Sequence, residues 1–221
     1  MNIFDIVGPV MIGPSSSHTA GAVRLGTIAS LLMKEKVVKA QIKLYGSCAK
    51  TYRGHGTDKA LVAGILGMEP DDDRIRESLR LAKEKGVEIE FLESSESCIH
   101  PNTAKIKLTG ENGESLTVTG SSVGGGNILV TEIDGLAVTI TGQNDTLIVV
   151  HQDMPGIVGK VAEFLGNCEL NVCNMALSRE KKGGKAVLCI SIDGHTDLDV
   201  TTYINHFAGV QQCIMLLANG R

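Results

Sequence analysis

The sequence predicts an α+β fold in two domains, and three observations carry that prediction. Helix-period segments dominate residues 19–85, period-two segments fill 87–141, and residues 146–221 spell strand, helix, strand, strand, helix, strand. A polar stretch, "TGQNDT", parts the second pattern from the third and sets the boundary near residue 145, giving domains 1–145 and 146–221. The chain of 221 residues is long enough for both to bury a core.

In "TAGAVRLGTIASLLMK", Leu25, Ile28, Ala29 and Leu32 recur at i, i+3, i+4 and i+7, the apolar stripe of a helix lying on a core. "VKAQIKLYG" alternates Ile42 and Leu44 with Gln41 and Lys43, a strand with one wet face. In "RGHGTDKALVAGILG" the Gly-His-Gly-Thr-Asp turn precedes a further helix, with Thr57 or Asp58 able to accept from its free amides. "PDDDRIRESLRLAKEKG" carries acids in its first turn, Lys83 and Lys85 in its last and Gly86 as a stop, the marks of a surface helix. "VEIEFLES", "TAKIKLTG", "ESLTVTG" and "LAVTIT" then alternate between Gly, Asn and Ser breaks and predict an antiparallel sheet. In the second domain "TLIVVHQD", "NVCNMALSRE", "KAVLCISID" and "CIMLLAN" read as strands. "GIVGKVAEFLG" reads as a helix on Val158, Val161, Ala162 and Leu165, and "DVTTYINHF" as one on Val200, Tyr203, Ile204 and Phe207. The string βαββαβ is the ferredoxin-like plan.

Composition narrows the function. With 25 acidic against 21 basic residues and no basic block, the footprint of a nucleic-acid binder is missing. No stretch reaches the roughly 18–20 apolar residues of a membrane span, and the first residues lack a cationic leader, so a soluble cytoplasmic protein without membrane contact is expected. Six scattered cysteines, with no CxxC pair, read as reduced packing residues, and no metal site within this chain is expected.

Five stretches can carry chemistry. "GPSSSHTAG" sets Ser15, Ser16, Ser17, His18 and Thr19 before a helix. The first amides of that helix lack intrahelical partners and hold the positive end of its dipole, which suits a carboxylate, and the hydroxyls would add donors. Simple capping by Ser17 or Thr19 is the alternative use. His55 lies between glycines that let backbone approach a ligand, and with His18 it suggests a shared acid/base site. Asn102 in "HPNT" offers a donor and an acceptor on a proline-fixed turn. "SSVGGGN" is the weakest and is explained by a glycine bend in a sheet. In the second domain, "HQDMPGIVG" places Asp153 and Gly156 where a strand passes into a helix, a place for small-ligand capture or for a plain turn.

"GPSSSHTAG", "GHGTDKA", "HPNT" and "GGGN", in this order and followed by a βαββαβ tail, resemble the beta subunit of iron–sulfur-dependent L-serine dehydratases over the whole chain. "HQDMPGIVG" resembles the opening of an ACT domain, and residues 1–145 resemble the allosteric substrate-binding domain shared with some phosphoglycerate dehydrogenases. The resemblance implies deamination of L-serine to pyruvate and ammonia, with a [4Fe-4S] cluster acting on the substrate hydroxyl and ligated by a separate alpha subunit. It implies His55 as base with His18 as its partner, the reverse assignment remaining open, and Ser15, Ser16, Ser17, Thr19 and Asn102 around the substrate. It further implies an effector, L-serine itself, held by Asp153, Gly156, Ile157 and Asn174, and a homodimer paired through ACT domains. A non-catalytic serine sensor is the alternative; a pyridoxal-phosphate dehydratase is disfavoured, since no lysine sits in a Schiff-base setting.

Overall fold

The computed structural model describes residues 11, 15–98, 100–193 and 198–218. The chain start and the Gly13–Pro14 turn of the first motif lie outside the described residues. The chain divides into two compact units, Met1–Asp134 and Gly135–Arg221. The protein is mixed α+β with two sheets.

In the first unit, α1 (Ala20–Leu32) buries the predicted stripe of Leu25, Ile28, Ala29 and Leu32. β1 (Val37–Leu44) buries Ile42 and Leu44 and leaves Gln41 and Lys43 half-buried, as alternation requires. The next segment forms two helices, α2 (Gly46–His55) and α3 (Thr57–Ile65). Gly56 separates them in the left-handed region, at φ +74°, a conformation that costs glycine least. The surface helix predicted after residue 70 is split into a 3₁₀ turn over Asp73–Glu77 and the short α4 (Ser78–Glu84). The Asp72 carboxylate accepts from the Arg74 amide at 2.9 Å and starts that turn.

β2 (Glu88–Glu93), β3 (Thr103–Gly110), β4 (Ser115–Gly124) and β5 (Asn127–Ile133) follow, then β6 (Leu136–Ile140) at the start of the second unit. The first sheet is ordered β2-β1-β3-β4-β5-β6. An all-antiparallel sheet was expected here; instead β2 pairs parallel to β1, with Lys39 opposite Glu88 and Leu44 opposite Glu93. The reason is connection length. Three helices between β1 and β2 return the chain to the end where β1 began, which a hairpin cannot do. The pairs β1–β3, β3–β4 and β4–β5 are antiparallel.

The second unit continues with β7 (Asp145–Gln152), α5 (Ile157–Asn167), β8 (Asn171–Arg179), β9 (Lys185–Asp193), α6 (Val200–Asn205) and β10 (Val210–Leu216). Its sheet is ordered β10-β7-β9-β8 with every pair antiparallel. Leu147, Val149, Leu188 and Ile190 pack with Ile157, Val161 and Leu165 of α5 and Val200 and Ile204 of α6. The buried line on α5 is thus Ile157–Val161–Leu165, with Val158 and Ala162 on its flank. On α6, Tyr203 is 53% exposed rather than buried, because a helix of six residues can turn only one narrow face to the sheet.

Candidate active site

The approach to α1 is a tight turn in which the Thr19 amide donates to the Ser15 carbonyl at 2.9 Å and the Gly21 amide to the Ser16 carbonyl at 3.1 Å. Two of the amides that the sequence leaves for an anion are therefore already bonded. Thr19 is the N-cap residue but makes no side-chain cap, so capping does not account for these hydroxyls. Thr19 itself is buried, at 3% exposed. Ser15, Ser16, Ser17 and His18 are half-buried. Ser15 Oγ and Ser17 Oγ lie 3.1 Å apart and lie 3.2 and 3.3 Å from His18 Nδ1, so the hydroxyls fix the ring.

His55 does not head a helix, as its motif suggested; it is the last residue of α2, and exposed. Its ring meets that of His18 edge-on, with centroids 4.5 Å apart and planes at 88°. Burial, and then the charge on His55, lower the pKa of His18, so His18 is neutral at and above its ordinary range. Close packing brings these motifs together. α1 and α3 cross where Gly26 and Gly64 face each other's backbone: a Cβ on Gly64 would stand 1.9 Å from the Val23 carbonyl oxygen, and one on Gly26 2.2 Å from that of Leu61. Only hydrogen at both positions lets the helices approach so closely.

Beside His18 lies a small cavity of about 10 Å³, room for one water-sized group, with Ser17, His18, Cys48, Thr57, Asn102 and Ser122 among its walls. Asn102 is held on both sides: its amide donates to His100 Nδ1 at 3.2 Å and its carbonyl accepts from the Ser122 amide at 3.0 Å. Two further hydroxyls were missed in the sequence. Ser122 Oγ and Thr57 Oγ1 are buried without a hydrogen-bond partner among the described residues. The Cys48 thiol is near enough to Thr57 to feel it, but a thiol is a weak partner. Buried polar atoms left short mark a place built to receive another polar group. The "SSVGGGN" stretch held the signal for Ser122, but nothing local shows that β4 carries it under α1, where a Cβ on Gly21 would come within 2.0 Å of Ser122 Oγ.

Burial pushes the thiols of Cys48, Cys189 and Cys213 up to about 11, 12 and 12, away from the thiolate that a cluster needs. All six cysteines are free, and among the described residues no group of three or more His, Cys, Asp or Glu side chains is placed to hold a metal ion. The described residues therefore do not fit an iron–sulfur cluster. Among the described residues no helix is long and apolar enough to cross a membrane.

In the second unit the expected effector residues do not converge. The Asp153 carboxylate accepts from Arg179 at 2.8 Å and from the Gly183 amide at 3.1 Å, and these contacts hold it below its usual range. Gly156 is the N-cap of α5 at φ +90°, and Ile157 is 3% exposed within the core. Asn174 is exposed on β8, five residues of strand from Arg179, about 16 Å along the chain at ~3.3 Å per residue.

The profile described as "Serine dehydratase beta chain" matches residues 2–133. Over 196 residues the chain is 43% identical to the "Probable L-serine dehydratase, beta chain" of Bacillus subtilis (strain 168), spanning 89% of each. It is 39% identical over 191 residues to the "L-serine dehydratase, beta chain" of Peptoniphilus asaccharolyticus, spanning 86% of each. It is also similar, at 30% identity over 177 residues, to the "D-3-phosphoglycerate dehydrogenase" of Bacillus subtilis (strain 168), covering 79% of this chain and 33% of that one.

Proposed function

The chain belongs to the serine dehydratase beta chain family, and from that premise we propose that it is the beta subunit of an L-serine dehydratase, deaminating L-serine to pyruvate and ammonia with a separate alpha chain. The observation that carries this reading is the meeting of His18 and His55 beside a cavity walled with hydroxyls. Loss of ammonia from serine begins with removal of the α-proton and departure of the β-hydroxyl, so the site must fix the carboxylate and hold a base within about 3 Å of the proton.

In this reading the hydroxyls of Ser15, Ser16 and Ser17 donate to the substrate carboxylate. His55, exposed at the end of α2, is the base that accepts the α-proton. His18, neutral and oriented through Nδ1, positions it and can take the proton onward. Asn102 supplies a further polar contact, and Ser122 and Thr57 offer the unsatisfied hydroxyls of the cavity floor. The [4Fe-4S] cluster expected of such enzymes belongs in this reading to the alpha chain, which agrees with the poor fit of this chain's cysteines. His55 is exposed, so a partner chain can cover it, which supports this reading.

The second unit is assigned as an ACT domain of ferredoxin-like plan, supported by the βαββαβ string and the strand order β10-β7-β9-β8. L-serine is proposed as its effector. Since Asp153 and Asn174 stand apart in one chain, a ligand touching both requires two copies, which supports a homodimer paired through these units.

The test is His55→Ala in the reconstituted two-chain complex. Turnover is expected to fall by about a hundredfold or more, within the span of lost acid/base catalysis. Unchanged turnover with altered serine cooperativity would assign the chain to sensing instead.

A further inference from the structure

The first unit carries a second concavity that shares no wall residue with the cavity beside His18. Its volume, about 440 Å³, falls in the range of small-molecule sites. One wall is apolar: Tyr52 and Phe91 stack with centroids 5.4 Å apart, and Val87, Ile89 and Leu79 extend the surface.

Asp58, in the first turn of α3, reaches this cleft although it is 8% exposed. One of its oxygens accepts from the Lys59 amide at 2.8 Å, and it forms no salt bridge among the described residues. Burial raises its carboxyl above the usual range, so an arriving cation would lower the cost of ionising it. The neighbouring acid does not compete, since Glu88 is paired with Lys39 at 2.9 Å. Two cations line the cleft with it, Arg53 and Lys83, both exposed. Arg53 spends its Nε on the Tyr52 hydroxyl at 3.1 Å, which leaves its terminal nitrogens as donors.

We propose that this cleft binds a free α-amino acid with an apolar side chain, its ammonium at Asp58, its carboxylate at Arg53 and Lys83, and its side chain on the Phe91–Ile89 wall. The acid and the aromatic faces suit an ammonium, the two cations suit a carboxylate, and only a zwitterion satisfies both. The extent of the apolar wall selects a side chain larger than that of serine. A ligand here bears on α3 at the residue next to Thr57 and so adjoins the cavity without entering it.

The test is calorimetric titration of the full-length chain with L-phenylalanine and L-leucine, against 3-phenylpropionate, which lacks the ammonium, and phenethylamine, which lacks the carboxylate. Either amino acid is expected to bind at least about tenfold more tightly than both controls, the loss of one charged contact. Lys83→Met should weaken amino-acid binding by about fivefold to tenfold, and Asp58→Asn should weaken it further. Because Asp58→Asn alters the acceptor of the Lys59 amide in the first turn of α3, Phe91→Ala provides a second reading, with L-phenylalanine losing more than L-leucine does. Binding that survives in His55→Ala but falls in Lys83→Met separates this cleft from the proposed active site. No binding of either amino acid up to about 10 mM, or binding indifferent to Lys83→Met and Phe91→Ala, overturns the proposal.

Discussion

His18 holds its Nδ1 between two serine hydroxyls and turns its ring edge-on to His55. The charge on His55 then adds to burial in making a proton on His18 less favourable. Removing one should therefore be visible on the other: in His55→Gln, the His18 ring is expected to titrate at higher pH than in the wild type, followed by its Cε1 proton resonance. An unmoved titration would mean that burial alone sets its protonation. Because the folded-state pKa of His18 lies below its unfolded value of about 6.5, the unfolded chain binds the extra proton. The contribution of this residue to stability is thus present above that pH and lost as pH falls through the folded value. Thermal melts of wild type should lose more between pH 7.5 and pH 5.5 than those of His18→Gln.

At the scale of elements, the crossing of α1 and α3 decides whether the proposed site exists. The two helices deliver Ser17 and His18 from one end and Thr57 from the other, and their separation is set by hydrogen atoms at Gly26 and Gly64. Gly64→Ala places a methyl 1.9 Å from a backbone oxygen, which cannot rotate away. We expect a loss of about 1–3 kcal/mol in urea unfolding, the range for overpacking, together with reduced turnover in the complex. Stability within error of wild type would show that the helices slide without cost. The apolar stripe of α1 was legible in its sequence because period and burial agree over four positions. The turn before α3 was legible from its glycines, but the helix α2 ahead of it was not, since Cys48, Ala49 and Tyr52 are its only buried residues and too few to mark a helical period.

Over the whole molecule, the first unit gathers the histidine pair and the cleft, and the second supplies an edge. β8 closes its sheet order on one side, and its residues Asn171, Cys173, Asn174, Ala176 and Leu177 are exposed. A strand that ends its sheet with such residues exposed invites pairing with another copy, although β6 also approaches it through the Ser178 hydroxyl donating to the Ala137 carbonyl, and a charge placed on it resists such pairing. If the homodimer forms here, Leu177→Lys should shift the sedimenting species from dimer towards monomer, while the circular dichroism of the fold stays unchanged. A dimer that persists would place the interface elsewhere.

Sequence alone determined the class of fold, the βαββαβ order of the second unit and the stretches that could carry chemistry, because hydrophobic period, turn residues and motif spacing are local properties of the chain. The tertiary structure decided what those stretches do to one another. It closed the Ser15–Thr19 turn on its own carbonyls, turned Thr19 inward, and laid His55 against His18. It also left the hydroxyls of Ser122 and Thr57 unpaired beside His18, among the described residues. It made β2 parallel to β1 and kept Asp153 far from Asn174 along the second sheet. These are contacts between residues distant in the chain, fixed by helix crossing and strand register, and no window of sequence contains both partners.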